Sequence, residues 1–154
     1  YVLAGGFELV LNCDFLIAAD TAQFGLPEVT RGIMPGCGGT RLLSKRIPVH
    51  RAKEWICTGR IVPALEAEKD GLLNRITSSA ELYESALEFA EGIAKNAPIA
   101  VQQAKAATDS LFVLKNNEAK IVEQEYYNRC LSTSDRLEGV RAFVEKRSPK
   151  FVGK

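Results

Sequence analysis

Apolar and polar positions change their rhythm once along this chain. Up to about residue 77, short apolar runs such as Phe15-Leu16-Ile17-Ala18-Ala19 alternate with Gly5, Gly6, Gly25, Pro27, Gly32, Pro35, Gly36, Gly38, Gly39 and Gly59. Runs of that length are strand-sized, and punctuation of that density predicts strands, turns and short helices. One short helix follows Gly5 and Gly6, with Phe7, Val10 and Leu11 on one side, and another begins near Thr40. From Ser78 onward glycine is scarce and helical spacing takes over. Ser78 and Glu81 form an S-x-x-E capping box ahead of a face made by Leu82, Ala86, Phe89 and Ile93. Asn96-Ala97-Pro98 ends that helix and begins the next, because proline has no N–H to lose in a first turn. Val122, Tyr126 and Cys130 predict a third helix, and Asp135 with Glu138 caps a fourth whose packing stripe is Leu137, Val140 and Val144. The chain divides into a mixed segment, 1–77, and a helical one, 78–154.

Composition narrows this picture. At 154 residues, 46% hydrophobic and 25% charged, the chain has the makings of one globular domain and not of extended disorder. Its formal net charge of +1 gives no bulk electrostatic reason to expect nucleic acid or an anionic membrane as main partner. No apolar run approaches the roughly 18–20 residues of a membrane helix. Cys13, Cys37, Cys57 and Cys130 include no C-x-x-C pair and have only His50 to join them, so no metal site is expected, and four reduced thiols in core or half-buried settings are. His50 and Trp55 are expected to be packing or surface residues. Tyr1 stands where a start methionine is usual, and the first residues read like the middle of a domain, so a piece of a longer protein is expected.

Candidate chemistry lies in the first segment. Gly5 and Gly6 open a helix, where backbone N–H groups point outward unpaired and where glycine lets a ligand approach. An N–H aimed at a developing negative oxygen is what an oxyanion hole requires. In Phe24-Gly25-Leu26-Pro27-Glu28 the proline stiffens the turn that carries an acid. The following stretch, Gly32 to Thr40, has neither the G-K-[ST] ending nor the G-x-G-x-x-G spacing of a nucleotide cradle. Taken singly, the glycine pair also reads as a tight turn and Glu28 as a surface acid.

In order, G-G-F-E-L, C-D-F-L-I-A-A-D, A-Q-F-G-L-P-E and G-I-M-P-G-C-G-G-T resemble the enoyl-CoA hydratase/isomerase (crotonase) superfamily. The resemblance continues through Thr58-Gly59-Arg60, Glu66-Ala67, Gly71-Leu72-Leu73-Asn74 and Asp135-Arg136-Leu137-Glu138-Gly139 to Ala142-Phe143-Val144-Glu145-Lys146-Arg147, covering essentially the whole chain. It implies an α/β fold, the C-terminal part of a repeated β-β-α superhelix, followed by a helical trimerisation segment. The reaction it implies is reversible syn hydration of a trans-2-enoyl-CoA to a 3-hydroxyacyl-CoA, as in fatty acid or branched-chain amino acid breakdown. Glu8 takes the role of base, Glu28 of acid and Gly5 N–H of oxyanion donor. Leu26, Pro35 and Gly36 are implied as substrate-binding residues. So are Phe143 and Lys146, three apart on one helix face and directed at the CoA of a neighbouring subunit.

The implied partners are an acyl-CoA thioester and further copies of the chain in a homotrimer or hexamer. Neither nucleic acid nor membrane is expected as a partner, and no cofactor, since CoA arrives with the substrate. The implied compartment is the mitochondrial matrix in a eukaryote and the cytoplasm otherwise. In the family the second oxyanion donor and much of the adenine pocket come from an upstream half, so the 154 residues alone are expected to be inactive. Ala4 stands where many members have glycine, a change expected to have no consequence, and Arg41-Leu42 replaces the usual Gln-Arg. A methylglutaconyl-CoA hydratase and an enoyl-CoA isomerase are alternatives within the family, the second disfavoured by Glu8. A non-catalytic, RNA-associated or assembly module using Lys146, Arg147, Lys150 and Lys154 is an alternative of another class.

Overall fold

The computed structural model describes residues 1–110, 114 and 116–154. They form two units, Tyr1–Leu87 and Glu88–Lys154.

In the first unit, strand β1 (Val2–Leu3) runs into helix α1 (Ala4–Val10), and β2 (Ile17–Ala19) is followed by β3 (Gln23–Gly25) and a 3-10 helix, Pro27–Arg31. Then come α2 (Gly39–Arg46), α3 (Val49–Thr58), β4 (Val62–Pro63), α4 (Ala64–Lys69) and β5 (Arg75–Thr77). β1 pairs parallel to β3, Val2 beside Phe24 and Leu3 beside Gly25, while β4 lies antiparallel on the other side of β3. β2 and β5 make a separate parallel pair, Ile17 beside Arg75. Proline and glycine set the helix ends. Pro48 forces Ile47 into extended backbone, which stops α2, and Gly59 at φ +62 ends α3.

The core forms around Phe7, Phe24 and Trp55. Phe7 lies 5.5 Å from Phe24 and 6.4 Å from Trp55, centroid to centroid, with Leu11, Leu26 and Leu43 enclosed in the same cluster. Trp55 is therefore a core residue, whereas His50 is exposed. The Trp55 indole N–H donates to Asp70 Oδ2 at 3.0 Å, and Asp70 Oδ1 accepts from Arg51 Nε at 2.8 Å. Arg51 also holds Glu54 and Glu66. Arg60, whose guanidinium bonds Glu66, followed by Arg51, lowers the Glu66 carboxyl from 4.5 to about 2.

The second unit completes α5 (Leu82–Ala94), which begins in the first, and adds α6 (Pro98–Ser110), α7 (Asn116–Leu131) and α8 (Ser134–Glu145). Ser78 accepts the Glu81 N–H and donates to its carboxylate, but this box closes a turn ahead of the helix, which is regular only from Leu82. Leu82, Ala86, Phe89 and Ile93 share the half-buried side of α5, as Val122, Tyr126 and Cys130 do on α7.

Four expectations need correction. α8 is capped by Thr133, whose hydroxyl accepts the Arg136 N–H, and not by Asp135. Asp135 is buried one turn inside and accepts the N–H groups of Val152 and Gly153 at 2.7 and 2.8 Å. Leu137, Val140 and Val144 are exposed, because α8 turns the opposite face, Asp135, Gly139 and Ala142, inward, with the Phe151 ring over Gly139. Cys13, Cys37 and Cys57 are exposed and only Cys130 is half-buried, since Cys13 and Cys37 lie in bends outside the helices and Cys57 lies off the face, Ala52 and Trp55, that α3 buries. Finally, Ala4 adopts φ +51, a left-handed conformation that costs a residue with a Cβ about 1–2 kcal/mol and glycine nothing. The exchange of glycine for alanine there is thus not neutral.

The tail after α8 is tied back to it. Arg147 grips Glu138 through two N–H···O bonds of 2.6 and 2.9 Å and also bonds Glu145, and the Lys150 N–H donates to Glu138 at 2.9 Å. These bonds, Arg147 first and the Lys150 N–H second, bring the Glu138 carboxyl down to about 2 from an ordinary 4.5. A carboxyl lowered on folding stabilises above its unfolded value and ceases to as pH falls through its folded one. The clasp should therefore loosen between about pH 4.5 and about pH 2. The protection of the Lys150 amide, its exchange relative to the intrinsic rate at each pH, is expected to fall across that window, and Glu138→Gln to abolish the dependence. An unchanged protection factor in the native protein down to pH 2 would count against the clasp.

Candidate active site

Parallel strands leave a sheet at the same end. Because β1 and β3 are parallel and in register, the chain emerging from Leu3 into α1 and the chain emerging from Gly25 toward Pro27 start side by side. That end, beyond the carboxyl termini of parallel strands, is where α/β proteins commonly place ligands. Glu8 comes from the first path and Glu28 from the second.

Glu8 is 3% exposed. Its Oε1 accepts two backbone N–H bonds, from Cys37 and Gly39, each 2.8 Å long. The glycine loop delivers both. Gly38, at φ +106, turns the chain into α2, and Gly39 follows as the first residue of that helix. A Cβ on Gly39 would stand 3.0 Å from each of Glu8 Oε1, Leu26 Cδ1 and Pro35 Cβ, so only glycine lets the loop come this close. With Oε1 committed, Oε2 is the oxygen left for chemistry. It lies 4.0 Å from where a Cβ on Gly5 would be, and beyond α1's own backbone no other atom of the described residues comes that near. Gly5 itself is exposed in the first turn of α1, where N–H groups have no acceptor within the helix.

Glu28 follows Pro27 at the start of the 3-10 helix and is 8% exposed. Its Oε2 is buried and receives no hydrogen bond from the described residues. A buried oxygen left so costs about 1–3 kcal/mol, which a structure tolerates most readily where the atom has work to do. Two enclosed carboxyls thus flank the end of one strand pair, the first oriented by main-chain donors and the second with an uncommitted oxygen.

The remaining predicted residues fall in different settings. Leu26 and Pro35 are enclosed, each packed at Gly39 behind Glu8, while Gly36 is exposed with open space at its Cβ position. Phe143, in the other unit, is 85% exposed. Lys146 does not share its helix face. It turns to φ +54 and closes α8, its N–H donating to Phe143 O while the Arg147 N–H reaches Ala142 O. Of the four tail cations, Arg147 is committed to Glu138 and Glu145. Among the described residues no cluster of three or more His, Cys, Asp or Glu is arranged to hold a metal, and no helix is long and apolar enough to cross a membrane. The backbone donors of Cys37 and Gly39 escaped the sequence reading. The doubled Gly38-Gly39 before a helix is the signal that points to them.

Comparisons with known proteins bear on the family and the fold. A mouse protein named enoyl-CoA hydratase domain-containing protein 2, mitochondrial, is 44% identical over 158 aligned positions, covering 100% of this chain and 53% of its own length. The crystal structure of an enoyl-CoA hydratase from Bacillus anthracis superposes with a TM-score of 0.96 at 46% identity, covering 99% of this chain and 59% of that one. An enoyl-CoA hydratase from Mycobacterium tuberculosis H37Rv gives 0.96 at 34% identity, covering 100% and 61%. The α/β crotonase-like fold is therefore the fold of this chain, which spans 50–59% of the length of curated relatives such as these. The model describing the enoyl-CoA hydratase/isomerase family matches residues 1–154, and the chain belongs to that family.

Proposed function

We propose that the protein carrying this chain is an enoyl-CoA hydratase, adding water reversibly and syn across the double bond of a trans-2-enoyl-CoA. The observation that carries the reading is the pair of buried carboxyls at one strand end, Glu8 held through Oε1 and Glu28 with an unpaired Oε2. Adding water to a conjugated thioester needs a base at the β-carbon and an acid at the α-carbon. Glu8 Oε2 takes a proton from water, whose oxygen bonds to the β-carbon. The π electrons shift to the thioester oxygen, where the Gly5 N–H stabilises the enolate. Glu28 then delivers its proton to the α-carbon, and the two carboxyls exchange their protonation states over the turnover. Gly36 borders the acyl group, and Leu26 and Pro35 back Glu8 from behind. Phe143 and Lys146 serve the CoA of a neighbouring subunit. The exposed Leu137, Val140 and Val144 support their burial in a homotrimer or hexamer.

The test is hydration of crotonyl-CoA by the protein that carries this chain, followed by loss of the conjugated enoyl absorbance. Glu28→Gln should reduce the rate by about 10²–10⁴-fold, the usual worth of a general acid. A Glu28→Gln protein that hydrates at the native rate would remove Glu28 from the mechanism.

A further inference from the structure

Thr58, Gly59 and Arg60 make the turn between α3 and β4, and nothing proposed above uses them. Gly59, at φ +62, has no room for a side chain. A Cβ there would stand 2.8 Å from Thr30 Cγ2, 3.1 Å from Val29 Cγ2 and 3.4 Å from Pro27 Cα. Those three residues bracket Glu28 in sequence and form the short helix that carries it. One residue on, Arg60 O would stand 3.0 Å, and Ile61 Cδ1 3.1 Å, from a Cβ on Gly25, the last residue of β3. The turn is thus pressed against both the end of the strand and the helix that follows it, at distances that two absent side chains allow.

Its other side is anchored. Arg60 binds Glu54 Oε1 at 2.9 Å and Glu66 Oε2 at 3.0 Å, and the Thr58 hydroxyl donates to Glu54 O at 2.6 Å. Glu54 and Glu66 are held in turn by Arg51, which also grips Asp70. The turn cannot withdraw to admit a side chain without disrupting that cluster.

We propose that Gly59 is a positioning residue for Glu28: the Thr58-Gly59-Arg60 turn, backed by the Arg51 ion cluster, sets where the Pro27–Arg31 helix lies and hence where the Glu28 carboxyl is presented. The inference rests on the reading of Glu28 as the acid. Gly59→Ala pushes Thr30 and Val29 outward and carries Glu28 with them, and a displacement on the order of 1 Å at a reacting group costs about 100-fold in rate.

The experiment is steady-state hydration of crotonyl-CoA by the protein that carries this chain. Gly59→Ala should lower kcat by about 100-fold with KM little changed. Thr30→Ser removes the nearest carbon while keeping the hydroxyl that donates to Pro27 O, so the double variant should regain part of the lost kcat. Gly71→Ala is the control, since Gly71 has φ +87 but nothing near its Cβ position. It should lower Tm yet leave kcat alone. Should Gly59→Ala not fold, Arg60→Lys loosens the backing without adding an atom at the contact, and a fall in kcat at constant KM is again expected. The proposal is overturned if the folded Gly59→Ala variant, or Arg60→Lys in its place, keeps native kcat, or if Thr30→Ser restores none of the loss. Glu28→Gln run alongside separates the two readings. Native activity in that variant defeats the acid assignment, whereas its inactivity beside an active Gly59→Ala protein defeats only the positioning role.

Discussion

Glu8→Gln is expected to lower kcat for crotonyl-CoA hydration by about 10²–10⁴-fold while leaving the fold intact. The amide is isosteric, and its oxygen can occupy the place of Oε1, accepting the N–H groups of Cys37 and Gly39 as the carboxylate does. What changes is the other atom. An NH₂ replaces Oε2 beside Gly5 and cannot take a proton from water. Substrate binding should be nearly unaffected, so the loss belongs in kcat and not in KM. Turnover within a few-fold of the native protein would eliminate Glu8 as the base. A lowered Tm of similar consequence in Glu8→Ala alone would instead reflect the two orphaned N–H donors.

The second large effect is on stability. Trp55→Ala should cost about 3–5 kcal/mol, read from the denaturation midpoint at constant slope. The indole is fully buried, stacks on Phe7 and donates to Asp70, so its removal leaves a cavity beside Phe7 and takes from the Asp70 carboxylate the donor that partners Oδ2, leaving Arg51 on Oδ1. Phe7 is the neighbour of Glu8 on α1, so the loss should also be felt as lower activity. Trp55→Phe, which keeps an aromatic ring beside Phe7 but loses the N–H and part of the bicyclic volume, should cost less, about 1–3 kcal/mol. A Trp55→Ala cost below about 1 kcal/mol would be incompatible with the packing described.

Glu8 and Glu28 were singled out by motif order, a glycine pair before a helix and a proline fixing the turn ahead of Glu28, read together with the family resemblance, and both carboxyls are enclosed. What holds them was not legible. Which N–H groups point at Glu8 depends on the path of a glycine loop whose torsions no residue type dictates, and glycine at position 39 is equally compatible with a plain helix start. Ala4 and Lys146 show the same limit from the other direction. Both adopt left-handed backbone that sequence rules reserve for glycine or asparagine, because the surrounding chain imposes it. The stripe on α8 misled for a third reason. Periodicity identifies which residues share a face but not whether that face is covered by the same chain, and here Gly139 and Ala142, small enough to be overlooked, made the buried side. Asp135 read as a cap by spacing, yet Thr133 stood two residues earlier with the same ability.

The wide spacing of the parallel partners has a consequence for how the first unit is made. Val2 meets Phe24 after only 22 residues of chain, whereas Ile17 must wait for Arg75, 58 residues further on. At a synthesis rate of about 5–20 residues per second, β2 is without its mate for about 3–12 s. The strand pair that places the two acids can thus assemble on the nascent chain well before the second sheet can close. Long-range parallel pairing of this kind is slow, and an edge left open for seconds invites wrong partners. Substitutions that weaken β5 should therefore reduce the yield of folded protein more than they reduce the activity of what does fold.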